Sequence, residues 1–246
     1  TIDWNDLKQY LPPNTPKPHD SLLAPSSLVF FESKTKNLND FSQWWRLQKE
    51  VNWKQPYGKE STIDTILDHP VIHVSWDDAV AYCKWKGRRL PTEAEYEYAM
   101  RSGNSNTTYT WGNQSIDTGE QKANVWQGDF PSNNMVLDDF YYTSPVKSFG
   151  DNDFGLYDIS GNVWEWCSDL YHSDYYSTIS NKVANNPKGP TKSFDPNDPF
   201  SSKRVMRRGS FLCNDSYCSG FRNSMRMKST PDSSSQHVGF RTVLDL

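Results

Sequence analysis

Gly155-Leu-Tyr-Asp158-Ile-Ser-Gly161-Asn-Val-Trp164-Glu165-Trp166 is the densest stretch of this chain. Asp158 and Glu165 supply carboxylates, and Gly161 permits a backbone bend that presents carbonyl oxygens. Hard oxygen donors of this kind suit calcium. The competing reading is a loop that keeps Asp and Glu for solvation. A second oxygen-rich stretch, Asn124-Val-Trp126-Gln-Gly128-Asp129-Phe130 continuing through Asp138-Asp139-Phe140, allows the same two readings. Further along lies Arg208-Gly-Ser-Phe-Leu-Cys213-Asn-Asp-Ser-Tyr-Cys218. Cysteines at this spacing diverge on a helix and take opposite faces of a strand. Only a bend unites their sulfurs, and Asn214-Asp215-Ser216 between them is turn-forming chemistry. Two converging thiols form a disulfide, bind a soft metal, or act as a redox pair.

Composition narrows the class. Ten Trp, 13 Tyr and 12 Phe in 246 residues promise an aromatic core. A mean hydropathy of −0.82 with scattered Gly, Pro, Asn and Ser points to much irregular chain around it. The net charge of −4, without a Lys/Arg cluster, argues against nucleic acid as a partner. No apolar run approaches the ~18–20 residues of a membrane span. Four cysteines do not make a disulfide-dense scaffold, and Cys83 and Cys167 read as small buried hydrophobes. The five histidines show no metal-ligand spacing, and there is no Gly-rich phosphate loop or GxSxG elbow.

Residues 1–68 read as irregular, with Phe41-Ser-Gln-Trp44-Trp45 as a helix or an aromatic anchor. Ser75 caps a short helix with Asp77 and Asp78 in its first turn, and Gly87 ends it. Thr92-Glu-Ala-Glu95 is a capping box opening a second helix that Gly103 closes. Short strands and long loops follow, with His172 to Lys203 as a surface excursion.

Taken together, the chain from about Asn52 to Arg241 resembles the formylglycine-generating enzymes, or sulfatase-modifying factors. The landmarks are His69-Pro-Val-Ile-His-Val-Ser-Trp76, Gly87-Arg-Arg-Leu-Pro-Thr92-Glu-Ala-Glu95, Ala123-Asn-Val-Trp-Gln-Gly128, Gly161-Asn-Val-Trp-Glu-Trp166, the Cys213–Cys218 loop, Thr230-Pro-Asp-Ser-Ser234 and Gly239-Phe-Arg241. The resemblance implies an α+β fold with little regular secondary structure, a variant of the C-type lectin-like fold. It implies one domain over residues 1–246, with 1–51 weakly matched and an opening strand missing upstream. The activity it implies is copper- and O2-dependent oxidation of a cysteine in a Cys-x-Pro-x-Arg segment of an unfolded sulfatase to Cα-formylglycine. The chain would work as a monomer. Cys213 and Cys218 would hold Cu(I), which accepts two-coordinate sulfur ligation. Ser210 matches a family active-site serine, and Trp164 would wall the pocket. One structural calcium site maps onto Asn124, the Val125 carbonyl, Asp138 and the Phe140 carbonyl; a second maps onto Asp158, the Gly161 and Val163 carbonyls, and Glu165.

This chain departs from the family pattern at several points. Thr242, Met100 and Asn223 stand where relatives carry disulfide cysteines, which leaves Cys83 a free thiol. Asn214 replaces a common histidine, and Ser219-Gly-Phe-Arg222 stands where the family has Tyr-Arg-Tyr-Arg. The last change, beside the peptide groove, motivates an alternative: a catalytically inactive, lectin-like or peptide-binding paralogue. The compartment stays open between bacterial cytoplasm and an exported setting, since a free Cys83 favours the first and calcium the second.

Overall fold

In a computed structural model, residues 4–20, 23–35, 37–180 and 183–245 are described. The chain begins with a single helical turn, α1 (Trp4–Leu7), and then forms an antiparallel pair. In that pair β1 (Ser26–Phe30) lies against β2 (Trp45–Lys49), with Phe30 opposite Trp45. The Phe41–Trp45 segment is therefore not a helix proper. It is a 3-10 turn at Phe41–Gln43 followed directly by β2, and the buried Trp44 is its anchor. Aromatic side chains fit a pleated, half-buried surface better than a short helix.

Two helices follow where their caps place them. Ser75 accepts from the Asp78 amide and Asp78 returns the bond, opening α2 (Trp76–Trp85) with a full capping box. Thr92 and Glu95 do the same for α3 (Glu93–Arg101), which Ser102 ends in the left-handed conformation. Beyond α3 the chain runs without regular structure to β3 (Trp164–Leu170). The short α4 (Tyr175–Ile179), β4 (Arg204–Arg207), β5 (Met227–Ser229) and β6 (Val238–Gly239) complete the described elements. The sheet order is β5-β4-β3-β6, with β6 parallel to β3 and the other pairs antiparallel.

Strand β3 is buried on both faces, and its alternation sorts the core. Trp164 and Trp166 pack with Met206, Cys213, Phe221 and Val238 on one side. Cys167 packs with Tyr96, Met100 and Val205 on the other. A third cluster, Phe30, Trp44, Trp126, Phe130, Phe211 and Leu212, joins the β1–β2 pair to the cysteine loop. Each such side chain contributes roughly 1.5–3 kcal/mol by leaving water. Cys83 and Cys167 are free and buried, as small core hydrophobes should be. The 172–203 excursion is tied down at its far end, where the buried Asp195 pairs with Lys203 at 2.7 Å.

Hydroxyls and imidazoles stitch β1 to the C-terminal segment. Ser234 Oγ donates to Ser27 Oγ (2.9 Å), and Ser27 lies 2.7 Å from His73 Nδ1. His73 Nε2 sits 3.0 Å from the Pro56 carbonyl, which only accepts, so the proton is on Nε2 and Nδ1 accepts from Ser27. His237 lies tilted 34° over Trp45 with centroids 4.7 Å apart. Burial pushes His73 down to about 4 and, together with His73 nearby, pushes His237 down to about 3. Both rings are neutral when folded and become charged in the unfolded chain below its ordinary histidine value. Stability is therefore fully present above pH ~6.5 and falls as pH drops toward the folded values, by about 3 kcal/mol for His73 at pH 4. Denaturant titrations at pH 7, 5.5 and 4.5 will show this slope, and His237→Phe will flatten it. A wild-type stability unchanged between pH 7 and 4.5 would contradict it.

Candidate active site

The cysteine loop grows from the end of β4. Arg208 (φ 94°) and Gly209 (φ 80°) turn the chain sharply after Arg207. A Cβ on Gly209 would fall 2.6 Å from the Gly220 carbonyl carbon, so two backbone segments cross here with no room for a side chain. Ser210 O accepts from Cys213 N (2.9 Å), which closes a tight turn and brings Ser210 N and Oγ to 3.4 and 3.7 Å from Cys213 Sγ. Asn214 then reverses the chain. Its carbonyl accepts from the amides of Tyr217, Cys218 and Ser219, and its Oδ1 accepts from those of Ser216 and Tyr217. Its Nδ2 donates to the Gly128 carbonyl (2.9 Å), tying the turn to the Asn124–Phe130 stretch.

The turn read from Asn214-Asp215-Ser216 does bring the sulfurs together. Cys213 and Cys218 form a disulfide with Cα atoms 5.3 Å apart. Cys213 is buried, whereas Cys218 is half-buried, so Cys218 faces approaching molecules. Trp164 lies beneath them: a Cβ on Gly220 would meet its ring at 2.5 Å. In this chain any side chain at 220 would require Trp164 to move. Tyr217 stacks on Phe130 (4.2 Å) and meets Trp44 edge-on, which fixes the outer half of the loop. Asn162 (φ 64°), just before β3, accepts from Ser144 N through its side chain and from Phe211 N through its carbonyl. Sequence reading passed over Asn162 as a clamp and placed Asn214 in the turn without its tie to the Gly128 carbonyl. The signal available for both was asparagine's tolerance of left-handed and turn backbone.

Two soft sulfurs form the whole donor set at the pair. Among the described residues no group of three or more His, Cys, Asp or Glu is placed to hold a metal. Paired thiolates with no carboxylate or imidazole completing the set fit a soft, low-coordinate ion such as Cu(I).

The two oxygen-rich stretches differ. In the first, Asn124 Oδ1 is buried with no hydrogen-bond partner, while its Nδ2 donates to the Tyr142 carbonyl (2.8 Å). Asp138 is buried beside it and accepts from the amides of Val125 (3.1 Å) and Phe140 (3.0 Å) and from Gln127 Nε2 (2.7 Å), which also donates to the Val125 carbonyl (2.5 Å). An orphaned amide oxygen and a buried carboxylate held by rigid backbone fit a hard cation.

In the second set the protein's own donors engage both carboxylates. Glu165 accepts from Arg208, from Arg241 (2.5 Å) and from the Tyr96 hydroxyl (2.6 Å). Burial alone would raise its pKa, but the two guanidiniums outweigh that and hold it below the usual carboxylate range. Asp158 accepts from the amides of Lys147 (2.5 Å) and Phe149 (3.3 Å) and so pins that loop. Gly161 has its own reason in packing: at φ +72°, a Cβ would fall 2.4 Å from the Asn124 carbonyl oxygen. Glu165, expected to hold a second calcium with Asp158, Gly161 and Val163, thus sits in an ion-pair cage, because β4 and the C-terminal segment bring two arginines to the carboxylate.

A little-ordered α+β fold around a buried cysteine turn defines a class, and similarity to known proteins specifies it. Residues 17–246 match the sulfatase-modifying factor enzyme 1-like domain, which extends the resemblance well upstream of Asn52. The chain belongs to the formylglycine-generating enzyme, or sulfatase-modifying factor, family. It is 47% identical over 204 residues to the formylglycine-generating enzyme of Bos taurus, covering 82% of this chain and 51% of that one. Identity to the enzyme of Thermomonospora curvata is 44% over 202 residues, 82% and 64% of the two chains. An inactive Cα-formylglycine-generating enzyme 2 of Mus musculus is 39% identical over 211 residues, 85% and 59% of the two chains. This chain thus spans half to two thirds of the relatives' length. PvdO from Pseudomonas aeruginosa shares the fold at a TM-score of 0.57 and 22% identity, over 88% of this chain and 72% of that one.

Proposed function

We propose that this protein oxidises the cysteine of a Cys-x-Pro-x-Arg segment in an unfolded sulfatase to Cα-formylglycine, using Cu(I) and O2. The observation that carries the reading is the cysteine turn, with Cys213 buried against Ser210 and Cys218 facing outward. The pair acts as thiolates, so the disulfide must first be opened by a thiol reductant. The same reductant balances the reaction: the substrate thiol, dioxygen, two electrons and two protons give the aldehyde, one hydrogen sulfide and one water. The chemistry a bound Cu(I) supplies is activation of O2. Ser210 N–H and its hydroxyl point at Cys213 Sγ and stabilise negative charge there. Trp164 and Gly220 seal the floor against water. Half-exposed Cys218 marks the side from which the substrate cysteine arrives.

The test is a mass measurement on a Cys-x-Pro-x-Arg peptide with reductant and Cu(I), under air and under nitrogen. The expected product is about 18 Da lighter, as thiol-to-aldehyde conversion requires, and forms only when copper and air are both present. An unchanged peptide overturns the oxidase. Peptide bound tightly but unchanged favours the inactive binding paralogue, the reading for which the Ser219-Gly-Phe-Arg222 departure and the inactive mouse relative speak.

One structural calcium belongs to the same proposal, at Asn124, the Val125 carbonyl, Asp138 and the Phe140 carbonyl. A ligand bound only by the native state stabilises it by mass action, about 2.7 kcal/mol at a hundredfold excess over Kd. Adding calcium to chelator-treated protein is expected to raise Tm by several degrees, and Asn124→Ala to abolish that rise. An equal rise in Asn124→Ala would place the ion elsewhere.

A further inference from the structure

Trp53, Tyr82 and Phe240 wall a cavity of about 600 Å3 where helix α2 meets the C-terminal segment. That volume lies within the ~300–1,000 Å3 of small-molecule sites. Four stretches of chain build it. Trp53 comes from the turns after β2, Val71 and Val74 from the approach to α2, and Phe240, Arg241 and Thr242 from the segment after β6. From α2 itself come Asp78, Ala81 and Tyr82, three and four positions apart and therefore on one helix face. Ala81 leaves room on that face because it brings almost no bulk. Tyr82 is held edge-on against Phe240 (5.4 Å) and against Trp85 (5.7 Å). Trp53 and Tyr82 nevertheless remain 47% and 43% exposed. Rings fixed in place but uncovered offer their faces and edges to a flat aromatic guest.

The charges around the cavity give that guest its polarity. Arg241 lines it, but the guanidinium is committed to Glu165 through Nε (2.5 Å) and Nη2 (3.1 Å). Arg88 reaches Thr242 Oγ1 (3.1 Å), which puts positive charge beside the C-terminal segment. Asp78 stands on the first turn of α2, exposed, with the exposed Asp77 next to it. Its Oδ2 accepts from the Ser75 amide (2.9 Å) and hydroxyl (2.8 Å), and its Oδ1 is left to accept from a guest. An aromatic ring for Trp53 and Tyr82, joined by a short linker to a protonated amine for Asp78, satisfies both requirements. We propose that this cavity binds an arylalkylammonium ion, a molecule of the tryptamine or phenethylamine kind. Cys213, Cys218, Ser210 and Trp164 are not among its described lining residues, so the site is separate from the cysteine turn and does not rest on the function proposed above.

The test is ligand-observed saturation-transfer NMR on the intact protein, with titrations to give Kd. The probes are tryptamine, uncharged 3-methylindole and indole-3-acetate, which share one ring and differ in charge. Wild type should bind tryptamine about fivefold more tightly than 3-methylindole, the scale of one exposed ion pair, and indole-3-acetate most weakly. Asp78→Asn keeps an oxygen for the Ser75 donors and should remove the tryptamine advantage while leaving 3-methylindole unchanged. Ala81→Trp, at an exposed helix position, should fill the cavity and abolish binding of all three with Tm nearly unchanged. The proposal is overturned if wild type binds no tryptamine, if indole-3-acetate binds as well, or if Asp78→Asn weakens all three equally or none. Binding that survives Ala81→Trp, or that a Cys-x-Pro-x-Arg peptide displaces, would place the amine elsewhere and overturn it too.

Discussion

Cys218→Ser is expected to lower formylglycine formation by on the order of 10³-fold or more, with Tm in reducing buffer nearly unchanged. The argument begins with position. Cys218 is the half-exposed member of the pair, delivered by three amide bonds to the Asn214 carbonyl that do not involve its sulfur. Serine keeps those bonds and removes only the soft donor. Cys213→Ser should cost as much activity but more stability, since Cys213 packs among Trp164, Trp166 and Phe221 and receives the Ser210 amide. The cross-link closes a loop of only five residues' separation, so its loss from the oxidised protein costs about 1–2 kcal/mol. Copper retention should vanish in both variants, with one Cu(I) per chain held by wild type under reducing conditions. Full turnover by Cys218→Ser would remove the two-thiolate site and return the pair to a structural disulfide.

Local chemistry made part of this molecule legible in its sequence. Ser75 and Thr92 announce helix starts because their partners lie three residues away, at Asp78 and Glu95. The cysteine turn was readable for the same reason, since Asn214 bonds to amides within five residues. What stayed hidden depends on distant partners. The β1–β2 pair forms because Phe30 and Trp44 meet Trp126 and Phe130 nearly a hundred residues on. Nothing within Ser26–Phe30 specifies that. Glu165 is the clearest case. Its neighbours in sequence suggested an oxygen cage for calcium, while the arginines that reach it come from positions 208 and 241. The glycine at 220, read only as a departure, becomes intelligible once Trp164 lies against it.

Glu165→Ala should destabilise the fold by about 3–5 kcal/mol, a large share of the ~5–15 kcal/mol that holds a domain together. Removing the carboxylate leaves Arg208 without its ion-pair partner and Arg241 with only Asp158 nearby. Arg241 has a side chain 28% exposed and can turn toward water; Arg208, at 3%, cannot. Most of the cost is therefore the unpaired Arg208. The neighbouring network does not absorb it, because Glu93 is already shared by Arg207 (3.0 Å) and Arg226 (2.6 Å). Glu165→Gln keeps the shape and part of the hydrogen bonding, and should lose less than alanine. The pH dependence follows from the depressed pKa: Glu165 contributes above its ordinary value near 4.5, and that contribution is lost as pH falls through the lower folded value. Glutamine at 165 should therefore lack this acid-labile part. The same pair of proteins separates an ion-pair cage from a calcium ligand. If Arg208 and Arg241 are the partners, the Tm gap between wild type and Glu165→Gln persists in excess chelator. A gap that closes on chelation would mean that the carboxylate's real partner is a bound cation, with the arginines filling in behind it.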